Sequence, residues 1–253
     1  MPAVVLEVRN LSKRFGGLIA VSGLDFDVRE GEILGMIGPN GAGKSTTFNI
    51  IAGAFPATAG EVRFAGEPIL GLPPHRIAAR GILRTFQHNQ PFTGMSVAEN
   101  VLVGAHTRFS VNPFSRNSLA EETERRRRAD QLIEFVGLGE LRDADVATLS
   151  FGQGRLLEIA RALAGEPRLM LFDEPAAGLT AAELARVAGV IRDIAARGIA
   201  VLLIEHDMHF LLPLAHRVVV LNFGAKIADG LPDEVRSHPA VMDAYLGSHA
   251  SAR

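Results

Sequence analysis

The sequence predicts an α/β fold: a mostly parallel core sheet, an N-terminal antiparallel β subdomain and an inserted α-helical subdomain. Three observations carry this expectation. Short apolar runs, as in ILGMI, RLMLF and IAVLLI, have the length and continuity of buried parallel strands and alternate with helix-period stretches. The first 30 residues instead alternate apolar and polar, as half-buried antiparallel strands do. Between about 90 and 148 strand runs vanish and helical patterns take over.

Taken in order, Val4, Leu6 and Val8 form one alternating run, and Leu24, Phe26 and Val28 a second. A turn at REGE (29–32) leads into the central strand ILGMI (33–37). A helix begins in GKSTTFNIIAG and ends near Gly53, and GEVRFAGEPI returns to strand character around a glycine turn. GILRTFQ is a further short strand. In TERRRRADQLIEFVGL, Ala129, Leu132, Ile133 and Val136 share one helical face. The charged tract before them is a solvated face, because Glu121–Arg125, Glu122–Arg126 and Glu124–Arg128 are Glu-before-Arg pairs at i,i+4, each worth about 0.2–0.5 kcal/mol. RLMLFDEP is then strand, AAELARVAGVIRDIAARG helix, IAVLLIEHD strand and RVVVLNFGAKIADG a hairpin. The expected organisation is one domain, with a core from about 1–89 and 150–230, a helical subdomain at about 90–149 and a tail at about 231–253. The polar stretch 106–118 reads as a loop-like insertion.

Composition narrows the function classes. The 26 Lys and Arg nearly balance the 28 Asp and Glu, which argues against a nucleic-acid-coating surface. The absence of cysteine excludes disulfides, thiol catalysis and cysteine-ligated metal. No apolar run approaches the roughly 18 residues of a membrane span. The expectation is a soluble, cytoplasmic chain, with peripheral docking to a membrane partner left open.

The stretch GPNGAGKST (38–46) matches G-x-x-x-x-G-K-[ST] between an apolar strand and a helix, the context that pattern needs. Its glycines let backbone N–H groups curl around phosphate oxygens, and the helix N-terminus adds positive dipole. On this reading Gly38, Pro39, Asn40, Gly41, Ala42, Gly43 and Thr46 cradle phosphates. Lys44 pairs with the β- and γ-phosphates, and Ser45 ligates Mg2+. LMLFDE puts Asp173 at the carboxyl end of a buried strand, the edge where ligands bind in open α/β sheets. There Asp173 can hold Mg2+ through water, and Glu174 can polarise an attacking water; the competing reading is a solvated acidic pair before Pro175. His206 ends another apolar strand on the same edge, within range of a γ-phosphate. Gln87, at a strand end, can reach the metal or the attacking water, although glutamine there is commonplace. Phe15 in KRFGG can stack on adenine, yet from the residues alone a core position is favoured.

Together these motifs resemble the ATP-binding subunit of ABC transporters, a P-loop NTPase family, from Val4 to about Gly247. GPNGAGKST is similar to the Walker A loop, LMLFDE to the Walker B strand, RTFQ to the Q-loop, IEHD to the H-loop and LSFGQ (149–153) to the signature motif. The finer resemblance is to the branched-chain amino-acid subgroup, through RFGGLIAV, RTFQ, DEPAAGL, LLIEHDM and HPAVMDAYLG; importers of amides and urea and a lipopolysaccharide-exporting ATPase look similar. The resemblance implies ATP and Mg2+ as cofactors. It implies Lys44, Glu174, His206 and Gln87 as catalytic residues, Ser45, Gln87 and Asp173 at the metal, and Phe15 and Val21 against the nucleotide. It also implies a head-to-tail dimer on the cytoplasmic face of the membrane. Each ATP would then lie between Walker A of one subunit and the signature of the other, with integral permease subunits docked near the Q-loop and a solute-binding protein engaged indirectly. Two positions depart from the family pattern: Phe151 stands in the signature where glycine is usual, and Thr180 where Asp or Asn is.

The signature stretch has two compatible readings. Ser150 and Gln153 fit the capping box S-x-x-Q, opening a helix apolar at Leu156, Leu157, Ile159, Ala160 and Leu163. A helix start also offers unpaired N–H groups and positive dipole to an anion, with a hydroxyl from Ser150 and close approach at Gly152. The chain has one Walker A loop, already supplied with lysine and metal ligands. Ser150, Gly152 and Gln153 therefore read as half of another subunit's site.

Overall fold

A computed structural model describes residues 2–85, 91–105 and 118–250. Two long strands, β1 (Val4–Phe15) and β2 (Leu18–Arg29), pair antiparallel, and β4 (Ala59–Phe64) and β5 (Glu67–Pro68) extend them in the order β2-β1-β4-β5. Leu6, Val8, Leu24, Phe26 and Val28 point inward as their alternation requires, but Val4 is exposed and Val5 buried instead. A register shift between Val4 and Leu6 turns the strand's first residues over, a local irregularity that period-two counting does not see.

The apolar runs form the second sheet. Among the described residues its order is β10-β9-β3-β8-β7-β6, from β3 (Ile33–Ile37), β6 (Ile82–Arg84), β7 (Leu169–Asp173), β8 (Ala200–Ile204), β9 (Arg217–Asn222) and β10 (Ala225–Gly230). The pairs β3–β8, β3–β9, β7–β8 and β6–β7 are parallel, and β10 closes one edge antiparallel to β9. Every residue of β3, β7 and β8 is buried, so these runs are apolar on both faces. Ile33, Ile37, Met170, Phe172, Val201 and Leu203 face one core, and Leu34, Met36, Leu169, Leu171, Leu202 and Ile204 face the other.

Helix α1 (Lys44–Ile51) packs Phe48 and Ile51 into the second core, and α2 (Pro74–Ala79) adds Ile77. On the other face lie α5 (Phe151–Leu163) and α6 (Ala181–Ala196). The helical stretch supplies α3 (Val97–Gly104), opened by a Ser96–Glu99 capping box, and α4 (Ser118–Phe135). A Cβ at Gly104 would collide with the carbonyl oxygen of Arg161, so this glycine lets α3 cross α5 closely. Ala129, Ile133 and Val136 are buried as the periodicity requires. On the charged face Glu122–Arg126 and Glu124–Arg128 pair as expected, but Arg125 pairs with Glu122 at i,i+3, 2.6 Å, rather than with Glu121. The chain ends in α7 (Met208–Leu211), α8 (Pro232–Arg236) and α9 (Pro239–Ala250). Among the described residues no helix is long and apolar enough to cross a membrane.

Candidate nucleotide-binding site

Register places the chemistry. Asp173 pairs with Ile204 across β7–β8, and Met36 with Ile204 across β3–β8, so the carboxyl ends of three neighbouring strands fall level. From that edge emerge the loop 38–43, the pair Asp173–Glu174 and the pair Glu205–His206. This is the crevice that an open parallel sheet presents to ligands.

The loop from Gly38 to Gly43 is built on positive φ angles at Gly38, Gly41 and Gly43. Side chains at two of these would also collide with backbone: a Cβ on Gly38 with the carbonyl of Leu221, and one on Gly43 with that of Ala20. Ala42 is buried and its carbonyl accepts from the Gly224 N–H at 3.0 Å, which fixes the loop to the β9–β10 turn. Lys44 opens α1, nearly buried, and its ammonium donates to the carbonyls of Gly38 (2.6 Å) and Pro39 (3.0 Å). Burial lowers the Lys44 pKa, while the carboxylates of Glu174 and Asp173 work against that shift. A cavity of about 280 Å³ is lined by Phe15, Ala20, Glu174 and residues 40–46. Ser45 is exposed and Thr46 half-buried on its wall.

Asp173 is nearly buried, and burial raises its pKa, with Arg84 opposing most strongly. Glu174 has φ 49°, a left-handed conformation uncommon for a residue with a side chain. Its N–H donates to the Ile204 carbonyl at 2.9 Å, which holds the bend. Its carboxylate Oε1 lies 3.7 Å from Nδ1 of the exposed His206. Lys44, Asp173, Glu174 and His206 thus share one edge.

Two aromatic and apolar expectations change. Phe15 is not a core residue: it is 44% exposed, meets Phe55 edge-to-face at 5.7 Å and lines the cavity. Val21, expected against the nucleotide, is fully buried and packs beneath Gly43, because β2 turns that side chain toward the core. Gln87 lies outside the described residues.

The signature turn lies apart from this cavity; Ser150 lines a different one, with Phe151, Arg155 and Gly178. Its capping box is fully formed: Ser150 Oγ accepts from the Gln153 N–H (3.2 Å), and Gln153 Oε1 accepts from the Ser150 N–H (2.8 Å). An anion also sits there. Glu183 Oε1 accepts from Ser150 Oγ (3.3 Å) and the Gly152 N–H (3.2 Å), while its Oε2 accepts from the N–H and hydroxyl of Thr180. The Thr180 N–H leads these donors in holding the Glu183 pKa low. A Cβ on Gly152 would strike this carboxylate, which gives the glycine its reason. The departure at Phe151 leaves a half-exposed ring capped by the Arg155 guanidinium at 5.6 Å.

Sequence reasoning missed three further residues. Glu205 is completely buried, and burial pushes its pKa up to about 7; the only signal was a charge directly after the apolar run AVLLI. Glu183 closes a capping box with Thr180 at the start of its own helix, but its second contact crosses 31 residues. Tyr245, on α9, buries its hydroxyl beside the backbone of Gly38, which partly offsets the rise of its pKa to about 12 by burial; no local pattern links positions 245 and 38.

Comparison with known proteins agrees with this geometry. Residues 21–177 match the family model described as ABC transporter, and residues 225–251 match one described as branched-chain amino acid ATP-binding cassette transporter. The chain is 42% identical to the high-affinity branched-chain amino acid transport ATP-binding protein of Pseudomonas aeruginosa, over 98% of this chain and 99% of that one. It is 39% identical, over the same shares, to a Salmonella typhimurium protein of the same description. A solved ATP-binding cassette of an ABC transporter in its ADP conformation superposes with a TM-score of 0.86 at 34% identity, covering 97% of this chain and 99% of that one. With this fold, this phosphate loop and these relatives, the chain belongs to the ATP-binding subunits of the ABC transporter family.

Proposed function

We propose that this chain is the ATP-hydrolysing subunit of an importer of branched-chain amino acids, working as a head-to-tail dimer on the cytoplasmic face of the membrane. The observation that carries the cargo assignment is the match of the C-terminal segment, residues 225–251, to the branched-chain family model. That segment lies outside the general cassette match and so distinguishes subgroups. The full-length relatives carry the same name.

The site suits ATP and Mg2+. Among the described residues no three His, Asp or Glu cluster as a metal cage, so a divalent ion would take Ser45 and Asp173 and draw its other oxygens from phosphate and water, as Mg2+ does. The shifts of Asp173 (up) and Lys44 (down) both come first from burial, and an opposite charge beside each would reverse them: a cation at Asp173, phosphates at Lys44. The metal supplies neutralisation of phosphate charge when bound. The protein's own part is positioning. Lys44 and the N–H groups opening α1 hold the phosphates, Glu174 takes a proton from the attacking water, and His206 fixes the γ-phosphate. Phosphoryl transfer needs little more than this placement and its electrostatics. Phe15 stacks on the base at the cavity mouth.

Ser150 and Gly152 face a second subunit's γ-phosphate in this reading. Its support is that they present a hydroxyl and an N–H that already bind a carboxylate, away from the chain's own phosphate loop. Permease subunits dock near residue 87, between the core and the helical subdomain at about 90–149. Uptake of labelled leucine in cells with and without this chain tests the assignment: uptake should fall on deletion. Unchanged leucine uptake with altered uptake of another solute would refute the cargo.

A further inference from the structure

We propose that Glu205 is a positioning residue of the hydrolytic site: its side chain ties the backbone that follows Glu174 to the strand end that carries His206. The proposal rests on the catalytic reading of Glu174 and His206 above.

Three contacts place Glu205 at the junction of the site's segments. Its N–H donates to the carbonyl of Met36, on the strand that feeds the phosphate loop, at 3.3 Å. Its side-chain Oε1 accepts from the Ala176 N–H at 2.9 Å, two residues beyond Glu174. Its Oε2 lies 3.9 Å from His206 Nδ1, which is itself 3.7 Å from Glu174. The residue therefore spans the strand ends of β3, β7 and β8 at the level where the chemistry is placed.

Burial favours the neutral form below about pH 7. The side chain is wholly buried, and Oε2 has no hydrogen-bond partner among the described residues. The charged groups that act on it are His206, favouring ionisation, and Glu174, opposing it. A desolvated carboxylate with no cationic Lys or Arg paired to it is costly, and a second negative charge beside Glu174 adds to that cost. With the proton on Oε2, Oε1 still accepts from Ala176, so the tie survives while the charge is absent. Ionisation as pH rises through about 7 places a second carboxylate beside Glu174 and His206.

The test compares the full chain with Glu205→Gln, Glu205→Leu and Lys44→Ala, measuring MgATP hydrolysis from pH 6 to 8.5 and nucleotide affinity separately. Gln keeps the acceptor and cannot ionise. The ratio of Gln to wild-type turnover should stay near one at pH 6 and climb at least about threefold by pH 8.5, tending toward the tenfold per pH unit of a single titrating group. Leu, lacking the acceptor, should lose turnover about tenfold at all pH values while ATP affinity is kept, the split expected of a lost positioning contact. A flat ratio, or wild-type turnover by the Leu variant, overturns the proposal. Stability supplies a reading independent of turnover. A carboxyl whose folded pKa is raised contributes fully only below its unfolded value near 4.5 and loses that contribution as pH rises toward 7. The Tm advantage of the Gln variant should therefore grow from pH 5 to pH 8, and a constant difference overturns the neutral acid. If Lys44→Ala hydrolyses ATP like wild type, the site reading itself fails; an inactive Lys44→Ala beside a flat ratio condemns Glu205 alone.

Discussion

At the residue scale the site sets two buried charges, Lys44 and Asp173, beside the more open Glu174 and His206. In the proposed mechanism Glu174 takes the proton of the attacking water, so Glu174→Gln should keep ATP affinity while turnover falls on the order of 10²–10³-fold, the scale of losing one pre-organised group. Single-turnover hydrolysis beside equilibrium nucleotide binding checks it; full hydrolysis by the variant would remove the general-base role. Lys44, Ser45, Asp173, Glu174 and His206 were legible in the sequence, because each follows an apolar run or glycine turn that dictates its placement locally. Residue-level reasoning put Phe15 in the core and the resemblance put Val21 against the nucleotide, whereas the structure exposes the first and buries the second, for one cause. Exposure along β1 and β2 depends on register shifts that no alternation count contains. Glu205 and the outer contact of Glu183 were illegible for another, since their partners Ala176 and Gly152 are set by tertiary packing.

At the element scale the parallel sheet was the easiest reading. The run ILGMI is β3 with the same bounds and IAVLLI is β8 less its first residue, since a strand buried on both faces has no polar position to blur its period. Phe172 lies in β7, fully buried one residue before Asp173. Phe172→Ala should cost about 3–5 kcal/mol of unfolding free energy through lost burial and the cavity left behind. Urea denaturation measures that loss, and because the strand end moves with the core, hydrolysis should fall with stability. The helical stretch was legible as helix but not in its packing: the close crossing of α3 and α5 depends on Gly104, a single residue with no local signal.

At the scale of the whole molecule the chain carries one complete phosphate loop and one anion-binding turn that does not share its cavity. Two copies placed head to tail would complete both. Ser150→Arg should leave nucleotide binding by the isolated subunit intact while abolishing ATP-dependent dimerisation and hydrolysis. Light scattering with and without ATP, on a Glu174→Gln background that traps the closed form, separates these effects. Dimerisation of the double variant would return the turn to a simple helix cap. The tail also meets the site, since the Tyr245 hydroxyl on α9 lies beside the backbone of Gly38 at the start of the phosphate loop. A truncation removing α9 therefore touches the site as well as the surface.

The carboxylate of Glu183 on the signature turn gives the proposed dimer a way to let go. A bare helix start would bind an arriving phosphate with the full strength of its dipole and donors, and would be correspondingly slow to release it. In the proposed dimer one anion would replace another, so closure would gain only the difference between two ligands of the same turn. When phosphate departs, the resident side chain is tethered a few ångströms away and can refill its place at high local concentration. Grip is thereby traded for turnover: a motor that cycles needs its empty state to be almost as comfortable as its loaded one.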